Sequence, residues 1–147
     1  MDFFHEIAYN HALWIALLAW FIAQVIKIFF EFLRVKKIKM SLIMSSGGMP
    51  SSHSAFVTAV ATAIGRMEGF DSAMFALAAI VSLVVMYDAS GVRRAAGNQA
   101  TVINMLLENI ENTGIKVDKK LKEMLGHSPV EVAAGAILGI TAALIFS

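Results

Sequence analysis

The chain has two prolines, Pro50 and Pro129, and each stands close to a histidine: His53 lies three residues after the first, His127 two residues before the second. The first pair sits in "GGMPSSHSA", the second in "GHSPVEVAAGAILG". Proline next to small hydroxyl residues is a helix-start signature, and a helix start presents free N–H groups and a positive dipole end to any anion. Gly48 lets backbone approach a ligand closely, and Ser52 opens the helix that carries His53 in its first turn. Glu131 follows His127 by four residues, so on a helix it reaches one ring nitrogen and leaves the other free as a nucleophile. A third polar cluster, "YDASGVRRAAGNQA" from Tyr87 to Ala100, brings Arg93 and Arg94, whose forked donors suit phosphate oxygens. Together these residue types describe a phosphate site.

Other polar residues have plainer explanations. His5 and His11 lack glycine or proline context and receive no role. Asp88 stands at a membrane boundary, where an acid is costly unless paired; Arg93 and Arg94 are its nearest partners, so a structural ion pair competes with a catalytic or metal-binding role. Gly135 and Gly139 form a G-x-x-x-G in the last apolar stretch, which close helix packing accounts for.

The elements that must position these residues are helices in a membrane. Of 147 residues, 58% are hydrophobic and 16% charged, and mean hydropathy is +0.70, well beyond the apolar share of an ordinary soluble domain. Cysteine is absent, which excludes disulfides and thiolate metal sites. Four apolar stretches are legible: Ala12 to Leu33, Ser54 to Gly65, Phe70 to Tyr87 and Val130 to Phe146. A bilayer core of about 30 Å needs roughly 20 helical residues, so the second and fourth are short and must tilt, thin the bilayer or shelter inside the bundle. The expectation is an all-α polytopic membrane bundle, one domain over residues 1–147, with about four transmembrane helices. Gln99 to Ile110 carries apolar residues at helical spacing, and Val117, Leu121, Met124 and Leu125 repeat the pattern among lysines; both read as interfacial amphipathic helices. The start, "MDFFHEIAYNH", has two acids and no basic residue, unlike a cleaved signal, so the first helix is expected to stay in the mature protein.

Ten of the twelve Lys and Arg residues fall between the first and second stretches or between the third and fourth. In a four-helix topology those connections share one side, and the positive-inside bias makes that side cytoplasmic. All three polar clusters lie there, so one site at the cytoplasmic face of the cell membrane is expected.

"MPSSHS" looks like the P-S-G-H motif of the type 2 phosphatidic acid phosphatase and vanadium haloperoxidase superfamily. "GHSPVEVAAGAILG" is similar to its third motif, a histidine followed four residues later by an acid, and Lys27 with Arg34 matches the spacing of its first, K-x6-R-P. The whole chain, above all "GGMPSSHSA" with "YDASGVRRAAGNQA", resembles the small divergent branch of that superfamily. Val35 stands where the first motif has proline, Ser52 where the second has glycine, and Glu131 where the third has aspartate. The arginine that normally shortly precedes the third-motif histidine is replaced at a distance by Arg93 and Arg94.

The resemblance implies a cofactor-free lipid phosphate phosphatase working through a phosphohistidine. His127 would attack phosphorus with Glu131 behind it, and His53 would protonate the leaving alkoxide. Arg93, Arg94, Lys27 and Arg34, with backbone N–H groups near Gly48 and Ser52, would hold the phosphate. Two other classes stay open: a non-catalytic protein that binds or moves an anionic lipid, and a magnesium-dependent phosphoryl-transfer enzyme with Asp88 and Glu131 as hard oxygen ligands. The expected partners are a lipid phosphate, the bilayer and, for so few short helices, a second protomer; no nucleic acid is expected.

Overall fold

The computed structural model describes residues 2–36, 48–113, 121 and 126–147, leaving aside the side chains of Arg34, Val35 and Glu111. These residues form six helices and no strand: α1 (Phe3–Ala8), α2 (His11–Val35), α3 (Ser52–Glu68), α4 (Ala73–Ser90), α5 (Val92–Glu111) and α6 (Pro129–Phe146). Asn10, Ser51, Ser72 and Ser128 cap α2, α3, α4 and α6, each accepting a backbone N–H from the first turn. Three stretches are long and apolar enough to cross a membrane: His11–Leu33, Ala73–Ile110 and Pro129–Phe146.

Of the four apolar stretches in the sequence, the second, now α3, is the one that falls short. Its nine buried residues are Ser52, Ser54, Ala55, Thr58, Ala59, Ala61, Thr62, Ala63 and Gly65. None is large. Helix α3 touches α2, α4 and α6, so its small faces meet protein where the other helices offer long side chains outward. It takes the third of the three expected routes, shelter inside the bundle. The core at this level is Ile15, Ala16 and Ala19 of α2, Ala59 and Ala63 of α3, and Ala142 and Ala143 of α6, with Phe56, Val60 and Ile64 packed against it.

The α3–α6 seam is the closest approach. A side chain at Gly135 would collide with the Ser51 carbonyl, and one at Gly139 with the Ala55 carbonyl and the Thr58 hydroxyl. Thr58 Oγ1 donates to Ala136 O at 3.2 Å, and Arg66 Nη1 to Leu144 O at 2.8 Å. The two helices therefore run parallel, with both N-termini at one end of the bundle. The G-x-x-x-G serves close packing, as its spacing indicated.

The segment from Tyr87 to Ala100 is not the connection that its polar residues imply. It is helix on both sides of a single break at Gly91, where α4 ends and α5 begins. Alanine, glutamine and arginine sustain the helix, and one glycine only interrupts it. The expected helix at Gln99–Ile110 is the second half of α5. Asn104 on that helix clamps the returning chain, donating to Leu121 O and accepting from Leu121 N, both at 2.8 Å. Val117, Met124 and Leu125 of the second expected amphipathic helix lie outside the described residues.

Candidate functional site

Where the N-termini of α3, α5 and α6 meet, the polar residues of the sequence gather. Ser51 N donates to Glu131 O at 3.0 Å, joining the starts of α3 and α6. His127 N donates to Ala89 O at 2.8 Å, tying the start of α6 to the end of α4. Gly126, at φ +86°, lies so close to the Arg93 and Arg94 backbone that a side chain there would strike it. The positive ends of α3 and α6 thus share one small region with the α4–α5 break, where the end of α4 offsets the start of α5.

Glu131 does two things at once. Its Oε2 accepts from Ser128 N at 3.0 Å, while Ser128 Oγ accepts from Glu131 N at 3.3 Å, a complete capping box. The same Oε2 lies 3.2 Å from His127 Nδ1. An ionised carboxylate only accepts, so the proton sits on Nδ1 and Nε2 keeps its lone pair. His127 is 2% exposed, and its Nε2 is buried with no hydrogen-bond partner among the described residues. Leaving such a nitrogen unpaired costs about 1–3 kcal/mol. Burial holds the imidazole below the ordinary histidine pKa, the Glu131 hydrogen bond opposes that, and the charges of Lys27 and Arg93 add to the lowering. A neutral, oriented imidazole is the form in which nitrogen attacks an electrophile.

The His53 ring stands 6.1 Å from that of His127, centroid to centroid, at 62°. Unlike His127 it is exposed. Partial desolvation, then the charges of Arg93, His127 and Lys27, hold it below the ordinary histidine pKa, and Asp88 opposes them. The two rings thus stand within contact range of each other, edge to face, at the meeting of the helix starts.

Lys27 is 3% exposed and shares a cavity of about 400 Å³ with Phe30, Glu31, Gly48, Met49 and Glu131. Gly48 adopts φ +98°, which favours glycine, and lies along the Lys27 stem. Ser52 is buried in the first turn of α3, one residue after the Ser51 cap. Arg34 lies on α2, with its side chain outside the described residues.

The two arginines part company. Arg93 Nε donates to Asp88 Oδ2 at 2.6 Å across the Gly91 break, and its charge reaches both histidines. Arg94 is exposed, as Arg93 is, and its backbone lies against Gly126. Asp88 thus forms the ion pair that was one of the readings open to it. Among the described residues, no three His, Asp or Glu side chains gather closely enough to hold a metal ion. Ser128 and the Ala89 carbonyl were missed from the sequence; the S-x-x-E spacing of Ser128 and Glu131 was the available signal for the first.

The chain belongs to the divergent PAP2 family, whose profile matches residues 8–142. It is similar to the uncharacterized membrane protein YuiD of Bacillus subtilis (strain 168), 43% identical over 153 positions that cover 97% of each chain. No solved structure matches.

Proposed function

We propose that this divergent PAP2 family membrane protein is a phosphatase that hydrolyses phosphate monoesters of lipids at the cytoplasmic face of the membrane. The observation that carries this reading is the His127–Glu131 pair, with Nδ1 engaged at 3.2 Å and Nε2 unpartnered beside His53. In the first step Nε2 of His127 attacks phosphorus and the ester P–O bond breaks. His53, protonated, gives its proton to the departing alkoxide, which leaves as the alcohol. In the second step water attacks the phosphohistidine, gives a proton to His53, and the P–N bond breaks to release phosphate. Arg93, Lys27 and the N-termini of α3 and α6 neutralise the phosphoryl oxygens. Ten of twelve basic residues fall between the first and second apolar stretches or between the third and fourth, which supports a cytoplasmic site; Lys37→Cys should resist an impermeant thiol reagent in intact cells.

The test is purified protein in detergent against a panel of lipid phosphates, with and without EDTA. The expected result is phosphate release unaffected by EDTA, with a phosphoenzyme trapped on rapid acid quench. His127→Ala should abolish release and phosphoenzyme together. Wild-type turnover in His127→Ala overturns the assignment. Activity that EDTA removes and magnesium restores replaces it with the metal reading, for which Asp88 would have to leave Arg93. Binding of lipid phosphates without turnover replaces it with an anionic-lipid carrier.

A further inference from the structure

The side of the site away from Lys27 is different in kind. His53 lines a second cavity, of about 310 Å³, with Leu17 and Trp20 of α2, Phe56 and Val57 of α3, and Val85 of α4. Among the described residues of that lining, Trp20 is the one other whose side chain carries a hydrogen-bonding group. The cavity follows α3 for one turn from His53 to Val57, away from the helix N-termini and into the apolar part of the bundle. Its volume is at the lower end for small-molecule sites, which run from about 300 to 1,000 Å³.

The direction of the reaction decides what goes there. If His53 gives its proton to the leaving oxygen, that oxygen must lie within hydrogen-bond reach of His53, and the carbon attached to it must continue past the ring. The cavity that His53 lines is where that carbon goes. Ester carbonyls placed there would lose water and find almost no donor, a penalty paid for each unpaired oxygen. A hydrocarbon pays none. The volume accommodates the first part of one chain, not two.

We propose that the cleft between α2, α3 and α4 holds the hydrocarbon chain of the leaving alcohol, and that the substrate is a monophosphate whose single chain is hydrocarbon from its first carbon, of alkyl or prenyl type, not a diacylglycerol phosphate. This rests on the phosphatase reading for its orientation, and its test is built to fail separately.

Two measurements test it. Hydrolysis of butyl to octyl phosphate, monomeric in solution, should rise in kcat/KM by up to about fourfold per methylene while the cleft fills. A diacylglycerol phosphate of equal carbon number should fall at least about tenfold below the alkyl ester. Val85→Phe should cut the octyl-to-butyl ratio by about tenfold or more, and Leu83→Phe, on the outward side of α4, should leave that ratio as it is. Independently of turnover, octyl phosphate carrying a diazirine at mid-chain should label the Leu17–Trp20, Phe56–Val57 or Val85 region, and excess unlabelled octyl phosphate should displace it. The photolabel needs no variant, so it tests the chain site even where Val85→Phe misfolds. Label at the cleft without any hydrolysis supports the chain site while the phosphatase reading falls. Hydrolysis with label elsewhere, no label at all, a flat chain-length series, or an equally good diacyl ester each overturns the chain site.

Discussion

Along the seam between α3 and α6, backbone meets backbone through Gly135 and Gly139, and α3 buries nine residues. Along α4 the buried residues are two, Ser82 and Ala89, and Leu77, Ile80, Leu83 and Val84 point outward. The site straddles these two regions. His53, His127 and Glu131 stand on the tight one; Asp88, Arg93 and Arg94 stand on the thinly covered one. In the proposed mechanism, the groups whose distances would decide bond making are on the closely packed part, and the cation that would gather charge is on the thinly covered one. Packed interiors hold their atoms closely, whereas long charged side chains on exposed helices retain reach and rotamer freedom.

Four predictions would break or sharpen this contrast. Gly139→Leu should have the largest effect, because its Cβ meets the Ala55 carbonyl, a backbone group that cannot turn aside. A loss of about 3 kcal/mol or more is expected in thermal or denaturant unfolding in detergent, against about 0.5 kcal/mol for Met74→Leu on outer α4. Equal stability of the two variants would erase the difference between the regions. Next, Arg93→Ala should lower kcat/KM by about 10²-fold, as loss of one charge-stabilising donor does elsewhere. Arg94→Ala should cost less than about threefold. Equal losses would return the pair to the joint role their adjacency suggested.

The third prediction concerns pH. The acid limb of kcat/KM reports free-enzyme groups, and His127 must be neutral to attack. Burial lowers its pKa, so the limb should lie below the ordinary histidine value. Glu131 works in the opposite direction. Glu131→Gln should therefore move the limb to still lower pH, while the plateau drops about tenfold as stabilisation of the developing positive charge is lost. A limb that moves up would mean that Glu131 is not the partner of His127. The smallest effect belongs to Asp88→Asn. The pair with Arg93 is 46% and 38% exposed, and such pairs contribute about 0–1 kcal/mol. Stability should change by less than that, and KM for a phosphate ester should fall slightly as Arg93 is released. A collapse of stability would make the thinly covered region structural after all.

Much of the site was written locally. Ser51 and Ser52 after Pro50, and Ser128-Pro129 with Glu131 close behind, are start signals that act within one turn, so both histidines could be placed on helix N-termini from spacing alone. The Gly135–Gly139 pair was legible for the same reason. What escaped was decided at longer range. Gly91 and the polar residues around it look like a loop, yet the helix resumes after one residue because Ala95, Ala96 and Gln99 favour it and α4 supports it. Once that segment is helical, Arg93 and Arg94 leave the helix about 100° apart, which their adjacency in sequence does not convey. The apolar cleft beside His53 draws on three helices and leaves no trace in any one of them.

The modest hydropathy of α3 also bears on how the chain is made. A helix rich in alanine, serine and threonine gains little from lipid by itself; its favourable surroundings are α2, α4 and α6. Of these, α6 leaves the ribosome last. Until it docks, the groove that receives Gly135 and Gly139 stays open and His127 has nowhere to sit. No product of synthesis that stops short of α6 holds both histidines in place, so the proposed activity should appear only once α6 has docked.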